Sequence, residues 1–321
     1  MQIKKIGVLT SGGDAPGMNA AIRAVVRSAA VKGIETVGVY RGYNGLINGD
    51  IRPLHIRDVS DVIQRGGTIL FTARCNEFKT DEGLQKAKAT CQKHGIDGLV
   101  VIGGDGSFRG AADLSSRGVP CVGIPGTIDN DIACSEYTIG YDTAMNTAMQ
   151  MVDKLRDTAA SHDRCSVVEV MGRHAGYIAL NAGIACGASD IIVPEFQFDK
   201  AHLMARIQKA RANGKHHFII MVAEGIGNVN ELARDIEKEI GIETRATILG
   251  HVQRGGSPTV RDRVAASRMG HYAIEILSQG LGNRVIGMRT GLCVDYDIQE
   301  ALTMQKSFPD QTLALAHEIS F

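Results

Sequence analysis

Short apolar runs rich in Val and Ile alternate along this chain with longer segments whose apolar residues recur at helical spacing. This alternation is typical of a parallel sheet whose strands are joined by crossover helices. It occurs in two rounds, one before about Gly140 and one after, which predicts an α/β fold of two Rossmann-like lobes with mostly parallel sheets. The predicted strands are Ile6–Thr10, Thr36–Val39, Leu99–Ile102, Cys121–Ile124, Ser166–Val170, Ile191–Val193, Phe218–Ala223 and Ala246–Leu249.

Two helical segments reveal their buried face in the sequence. Met18–Val31 and Asp142–Leu155 each place a line of apolar side chains along one side. We expect these lines to pack in the core rather than to hold a cofactor. The predicted core residues are Met18, Ile22, Val25, Val26 and Ala29 in the first segment, and Met145, Met149, Val152 and Leu155 in the second.

Composition narrows the classes of function. With 321 residues, 44% of them apolar, the chain is long enough for two domains of ordinary size. Its 35 basic and 35 acidic residues balance, which argues against binding of nucleic acid or of an anionic membrane. Seven scattered Cys without metal-type spacing indicate reduced thiols, and no segment resembles a signal sequence or a membrane span. We therefore expect a cytoplasmic protein.

The first predicted strand runs into a glycine-rich loop, Thr10–Ala20. In open α/β sheets, ligands bind beyond the carboxyl ends of the strands, and the amino end of a helix attracts anions. Gly12 and Gly13 would let the backbone approach a phosphate. The loop has the spacing of a Walker A motif, but Met18 and Asn19 stand where that motif has Lys and Ser or Thr. Alone, the loop is compatible with a phosphate site or with a structural turn.

A second glycine-rich loop, Gly103–Gly110, follows the third predicted strand. Its glycines and Ser107 can cradle phosphates through main-chain N–H groups, yet Asp105 among them would repel a phosphate. Mg²⁺ bound by the carboxylate and bridged to the phosphates removes this conflict. The alternative is an Asp that accepts hydrogen bonds only from its own turn.

A third segment, Pro125–Ile132, carries Asp129 and Asp131 two residues apart, with Thr127 nearby. One carboxylate could accept a proton from a substrate hydroxyl while the other binds the metal. The pair is equally compatible with the decoration of a turn.

Further charged residues follow later strands of the chain. Arg173 and Glu224 follow predicted strands, and a later segment carries Arg245, His251 and Arg254, which suit a dianionic phosphate. Together with the glycine loops and carboxylates, they indicate phosphoryl transfer between two phosphorylated molecules, a reaction that depends mainly on positioning and charge neutralisation.

A Rossmann-type oxidoreductase is the rival from another class. However, SGGDAPG rather than G-x-G-x-x-G follows the first predicted strand, and the second is not followed by a convincing ribose-binding acid. The sequence also lacks a G-x-S-x-G nucleophile elbow. Both observations favour phosphoryl transfer.

The chain resembles the bacterial ATP-dependent 6-phosphofructokinases along nearly its whole length. The resemblance implies transfer of a phosphoryl group from MgATP to fructose 6-phosphate, the committed step of glycolysis, by a homotetramer with shared active sites. It also implies that the second lobe crosses back into the first, with residues 1–140 plus 253–303 binding ATP and Mg²⁺ and residues 141–252 plus 304–321 binding the sugar phosphate. The matching motifs are LTSGGDAPGMNAAIR, GGDGS, PGTIDND, VMGRHAG and LGHVQRGGSP.

The resemblance assigns roles to individual residues. Asp129 would be the base for the sugar 1-hydroxyl, Arg173 would counter charge in the transition state, and Mg²⁺ would bind Asp105, with Asp131 as the second candidate ligand. Arg164 and Arg245 would reach in from the neighbouring subunit. The implied ATP-binding residues are Gly13, Tyr43, Arg74, Cys75, Gly104, Asp105, Gly106 and Ser107; the implied sugar phosphate residues are Thr127, Asp129, Arg164, Met171, Gly172, Arg173, Glu224, Arg245, His251 and Arg254, with Gly13 and Thr127 also catalytic.

Two glycines bear on the phosphoryl donor. Relatives that use pyrophosphate carry Asp in place of Gly106 and Lys in place of Gly126, and those larger side chains would occupy space that a nucleotide needs. The sequence therefore predicts ATP as the donor. Retention of Asp105, Asp129 and Arg173 also opposes a third reading, a sensor that binds nucleotides without catalysis.

The effector site of the family is matched only in part. Three positions depart: Ser189 replaces a metal-binding Glu, Asn213 an Arg and His216 a Lys. We expect attenuated control by ADP and phosphoenolpyruvate, or a response to other ligands, unless a neighbour such as Asp190 compensates. The matching effector residues are Arg23, Arg27, Asp61, Arg156, Lys215 and His217.

Overall fold

The computed structural model describes residues 3–320, which fall into two units, each with its own sheet. Both units are discontinuous in sequence. The first comprises the described residues up to Ile128, Ile132–Thr143 and Arg254–Lys306, and the second comprises Asp129–Asp131, Ala144–Gln253 and the described residues from Ser307 onward.

Within residues 3–320 the chain forms eleven strands, numbered here along the sequence. They are β1 (Lys5–Thr10), β2 (Glu35–Val39), β3 (Ile51–Pro53), β4 (Gly98–Gly103), β5 (Cys121–Pro125), β6 (Cys165–Val170), β7 (Asp190–Ile192), β8 (Phe218–Ala223), β9 (Thr244–Ile248), β10 (Arg284–Arg289) and β11 (Leu292–Asp297).

Eleven α-helices connect or flank the strands in the same described range, and none of them is both long and apolar enough to cross a lipid bilayer. They are α1 (Met18–Val31), α2 (Gly42–Asn48), α3 (Asp81–His94), α4 (Asp105–Ser116), α5 (Tyr141–Ser161), α6 (Tyr177–Ala185), α7 (Lys200–Ala212), α8 (Val229–Ile240), α9 (Val260–Ser278), α10 (Ile298–Thr303) and α11 (Asp310–Ile319).

Several helices begin at side chains that accept hydrogen bonds from the first turn. Such caps satisfy main-chain N–H groups that have no partner within the helix, and they fix where the helix starts. The capping residues are Thr80 for α3, Asp199 for α7, Asn228 for α8, Thr259 for α9 and Asp297 for α10.

The first unit is built on a seven-stranded sheet with the order β11-β10-β5-β4-β1-β2-β3. Neighbours from β10 to β2 pair in parallel, whereas β11 and β3 add antiparallel edges. Every residue of the central strand β4 is buried, as expected for a parallel strand covered on both faces.

The second unit holds a four-stranded sheet with the order β7-β8-β6-β9, in which all three pairings are parallel. Its core lies between the sheet and helices α7 and α8, and includes Phe218, Ile220 and Ile236. The predicted fold class, with mostly parallel sheets, is therefore confirmed.

All eight predicted strands are present, with ends that coincide with the prediction or differ from it by at most two residues. The sequence interpretation missed β3, β10 and β11. β3 has only three residues and ends in Pro53, while the residues of β11 are all half-buried or exposed. Such strands lack the continuous apolar run that marks a buried parallel strand.

The two helix predictions fared differently. All five predicted core residues of α1 are buried, which confirms that face. In α5 the prediction was wrong for Met145, Met149 and Leu155, which are half-buried, and correct for Val152. The buried line of α5 is formed instead by Ala144, Ala148, Val152 and Ala159. The small alanine side chains allow close packing, so the larger apolar residues lie at the margins of the buried face.

Candidate active site

The loops after β1 and β4 are joined at the carboxyl edge of the first unit's sheet. The Ser11 N–H donates to the Ile102 carbonyl at 2.9 Å, and Ser107 Oγ donates to the Ser11 carbonyl at 3.1 Å. A Cβ atom at Gly103 would lie 2.4 Å from the Ser11 oxygen, so only glycine permits this approach. The two predicted phosphate loops therefore form one continuous surface.

The Gly104–Ser107 segment turns the end of β4 into the start of α4. A Cβ atom added at Gly104 or at Gly106 would meet nothing within 4 Å, so both glycines face open space. Main-chain N–H groups at the start of a helix, next to open space, suit an anion such as a phosphate.

Tyr43 supports this segment from inside the unit. Its hydroxyl donates to the Ser107 carbonyl at 2.5 Å, and its ring stacks on Phe78 at a centroid distance of 3.8 Å. The side chain is buried, and burial raises the pKa of the Tyr43 hydroxyl well above its ordinary value. Tyr43 thus holds the glycine loop in place in addition to its predicted contact with ATP.

Arg74 and Cys75 lie on the loop that precedes α3. Thr72 anchors this loop, because its hydroxyl donates to the Gly12 carbonyl at 2.7 Å. Arg74 is exposed, whereas Cys75 is half-buried against the core of the first unit. The loop bearing both residues is therefore attached to the first glycine-rich loop.

The first unit offers an accessible carboxylate for Mg²⁺. Asp105 is exposed and stands between Gly104 and Gly106, where there is room for a cation and a phosphate. Within residues 3–320, three or more His, Cys, Asp or Glu side chains are nowhere grouped as a ready-made metal cage. Mg²⁺ commonly binds through one or two carboxylates, with waters and substrate phosphates as its other ligands. Asp105 fits that pattern.

Gly13 and Arg254 come together, although the sequence assigned them to different ligands. A Cβ atom at Gly13 would lie 2.5 Å from Arg254 Nη1. The same nitrogen donates to the Asp14 carbonyl at 3.0 Å. The Arg254 guanidinium thus lies directly on the first glycine-rich loop.

The segment after β5 is held by hydrogen bonds made through its own main chain. The Gly126 N–H donates to the Gly103 carbonyl at 2.9 Å, and the Thr138 hydroxyl donates to the Thr127 carbonyl at 2.6 Å. Thr127 and Asp129 are both largely buried, and Asn130 adopts a left-handed backbone with φ of 53°. Asp131 is half-buried. The left-handed conformation of Asn130 is uncommon for a non-glycine residue, and such residues are found disproportionately at functional sites.

Asp262, which the sequence interpretation missed, anchors the chain on both sides of Thr138. It is fully buried at the start of α9. Its carboxylate accepts hydrogen bonds from the Tyr137 hydroxyl, from the Gly140 N–H at 2.7 Å, and from the N–H and hydroxyl of Thr143 at 2.8 and 2.5 Å. Burial raises the pKa of Asp262 even though these donors oppose the shift. In the sequence Asp262 resembles any acid in the first turn of a helix, so no local signal marks it.

In the second unit, predicted sugar residues gather at the carboxyl edge of the sheet. Met171, Gly172 and Arg173 follow β6, Glu224 follows β8, and the exposed His251 lies three residues after β9. Glu224 Oε1 accepts the main-chain N–H groups of Gly172, at 3.2 Å, and of Arg173. Arg173 has a left-handed backbone with φ of 61°, so Glu224 helps to hold it in an unfavourable conformation.

Arg164 and Arg245 lie at the opposite edge of the same sheet. Arg164 immediately precedes β6, and Arg245 is the second residue of β9. The six residues of β6 span about 20 Å at the usual rise per residue. These two arginines are therefore separated by a strand length from Arg173, which follows the other end of β6.

The predicted effector residues divide between the units. In the first unit Arg23 and Arg27 are half-buried, one turn apart on α1, and Asp61 is exposed. In the second unit, burial and then the charge of Arg156 lower the pKa of both Lys215 and His217. Those three groups therefore share one cationic region.

Asp190, the neighbouring carboxylate considered as a substitute for the Glu that Ser189 replaces, is already engaged. It pairs with Arg206 Nε at 3.2 Å and with His317 Nε2 at 3.3 Å. Lys215 Nζ donates to the Ser320 carbonyl at 3.0 Å. Asp190 and Lys215 thus have partners in α7 and in the C-terminal segment.

Comparisons with known proteins show what the chain is similar to. Residues 5–277 match the family model for phosphofructokinase. An ATP-dependent 6-phosphofructokinase of Clostridium botulinum is 55% identical over 318 residues, which cover 99% of this chain and 100% of the relative. The Clostridium tetani protein of the same name is 56% identical over 319 residues, with the same coverage. A phosphofructokinase structure from Saccharomyces cerevisiae superposes with a TM-score of 0.88 at 36% identity, and covers 98% of this chain and 46% of the yeast chain.

Replacing Asp262 by Asn should destabilise the first unit. In the variant, the amide NH₂ group would replace one carboxylate oxygen and would face hydrogen-bond donors. Each buried donor left without an acceptor lowers the free energy of unfolding by about 1–3 kcal/mol. We expect the midpoint of urea unfolding to fall markedly for Asp262→Asn and to stay unchanged for Asp113→Asn, an exposed position on α4. Equal midpoints for the two variants would contradict the role given to Asp262.

Proposed function

The chain belongs to the phosphofructokinase family, and we propose that it transfers the γ-phosphoryl group of ATP to the 1-hydroxyl of D-fructose 6-phosphate. The products are ADP and fructose 1,6-bisphosphate. The observation that carries this proposal is the Gly104–Ser107 segment, which is open, lies at the start of a helix and presents the exposed carboxylate of Asp105. The names of relatives that are 55–56% identical support the same reaction.

The surroundings of two glycines support ATP as the donor. Gly106 faces open space, so an Asp there would project into the room proposed for the nucleotide. A Cβ atom at Gly126 would lie 3.0 Å from Ile102 and 3.3 Å from Met18, so a lysine would have to displace neighbouring side chains. Gly106 therefore leaves room for a nucleotide, and the packing around Gly126 disfavours the lysine of the pyrophosphate-using relatives.

The proposed chemistry depends on position and charge. Asp129 accepts the proton of the sugar 1-hydroxyl as that oxygen attacks the γ-phosphorus, and Arg173 neutralises charge on the transferring group. Gly13 and Thr127 lie on the loops that would border the reacting groups. Asp105 and Asp131 would hold Mg²⁺, which would supply further neutralisation of phosphate charge.

Residues of two subunits would bind the sugar phosphate. Met171, Gly172, Glu224, His251 and Arg254 would act within the chain. Arg164 and Arg245 lie at the amino edge of the second sheet, a strand length from Arg173, and this placement favours a role in a neighbouring copy's site. Because the resemblance to the family implies a homotetramer, we infer that assembly here, with active sites shared between subunits.

Phosphoryl transfer can be measured by coupling fructose 1,6-bisphosphate to aldolase. With Mg²⁺ and fructose 6-phosphate, we expect turnover with ATP and little or none with pyrophosphate. Asp129→Asn should lower kcat by about 10²–10⁴-fold because it removes the base, while the exposed variant Asp157→Asn should match wild type.

Each outcome of this assay has a separate meaning. An Asp129→Asn enzyme as fast as wild type would contradict the proposal that Asp129 is the base. Turnover with pyrophosphate but not with ATP would contradict the assignment of ATP as the phosphoryl donor. A folded protein without turnover on either donor would reject the proposed reaction.

We also infer that control by ADP and phosphoenolpyruvate is weak. Ser189 and Asn213 supply no charge, and Asp190 is engaged by Arg206 and His317. At saturating ATP, neither effector should shift the fructose 6-phosphate concentration that gives half-maximal rate. The variant Ser189→Glu/Asn213→Arg/His216→Lys should gain a response. A strong response in wild type would contradict the inference.

A further inference from the structure

Glu243 joins the two arginines at the amino edge of the second sheet. Its Oε2 accepts from Arg164 Nε at 2.7 Å, and its Oε1 accepts from Arg245 Nε at 3.0 Å and from Arg245 Nη2 at 2.6 Å. The hydrogen bond from Arg164, and then those from Arg245, lower the pKa of Glu243. The residue was not singled out in the sequence, where it is one of several acids near the end of α8.

The main chain fixes the same three residues relative to one another. The Cys165 N–H donates to the Glu243 carbonyl at 2.9 Å, and the Phe218 N–H donates to the Arg164 carbonyl at 3.1 Å. Strands β6 and β9 then continue in parallel register, with Ser166 opposite Arg245. The carboxylate therefore extends from hydrogen-bonded main chain toward the side chains of Arg164 and Arg245.

The pattern of donors leaves the arginines able to bind a second anion. Glu243 engages Arg164 only through Nε, so both terminal nitrogens of Arg164 remain directed elsewhere, and Arg245 keeps Nη1. Arg245 is largely exposed, with 70% of its side-chain surface accessible, and Arg164 keeps 28%. Two guanidinium groups and one carboxylate also leave a net positive charge, which favours a dianion.

We propose that Glu243 is a positioning residue for the phosphate of the sugar substrate: it holds Arg164 and Arg245 as a preformed pair. This inference rests on the proposed function, in which the two arginines bind that phosphate in a neighbouring subunit. Ordering two long side chains before the substrate arrives removes part of the entropic cost of binding. Glu243 contacts the two arginines and is not among the residues proposed to bind ATP or the reacting groups, so its contribution should fall on affinity for the sugar phosphate.

The test is steady-state kinetics of Glu243→Gln, which keeps the side-chain length but can accept through only one oxygen. The KM for fructose 6-phosphate should rise about tenfold, because two long side chains would then have to be ordered when the substrate binds. The kcat and the KM for ATP should stay at their wild-type values. Glu237→Gln, an exposed position on α8, is the matched control and should change none of the three.

A double-variant comparison separates positioning from a general structural effect. In a chain already carrying Arg164→Ala and Arg245→Ala, adding Glu243→Gln should raise the KM no further, because the pair it positions is gone. Wild type without turnover would reject the proposed function and this inference with it. Turnover with an unchanged or lowered KM in Glu243→Gln would overturn the inference alone, and a lowered KM would make Glu243 a competitor of the phosphate.

Discussion

The direction of parallel strands governs where chemistry can lie in this chain. Because such strands all end at one edge of their sheet, the loops that follow them converge there. In the first unit this edge joins the loops after β1 and β4 through Ser11 and Ser107. In the second unit it gathers Arg173 and Glu224, while Arg164 and Arg245 are left at the opposite edge. The same constraint separates Arg164 and Arg245 from Arg173 within one chain, which is why we propose that these two arginines serve the site of a neighbouring copy.

The fold and most of the residues at strand ends could be predicted from the sequence, for one physical reason. Buried parallel strands must be apolar throughout, so most of the eight predicted strands are visible as Val- and Ile-rich runs, and the glycine loops mark where the backbone turns. The residues proposed to act on ligands, such as Asp105 and Arg173, stand directly after those runs. Strand ends and unusual local composition therefore coincide.

What could not be predicted depends on contacts between residues far apart in sequence. Asp262 accepts hydrogen bonds from residues more than a hundred positions away, and Glu243 reaches Arg164 across 79 positions. Each has an ordinary neighbourhood in the sequence. The buried face of α5 was misjudged because its alanines, rather than its larger Met and Leu side chains, are fully covered. Half-exposed antiparallel edges such as β11 carry no comparable signal.

The central claim is that each active site combines the base of one chain with the arginines of another. Mixing two defective proteins tests it most directly: an Asp129→Asn chain and an Arg164→Ala/Arg245→Ala chain, each weak alone, are coexpressed and the mixed oligomers purified. A mixed oligomer contains sites with an intact base from the second chain and intact arginines from the first. The account predicts activity well above that of either parent. Activity no higher than the average of the two parents would show that both groups must come from the same chain.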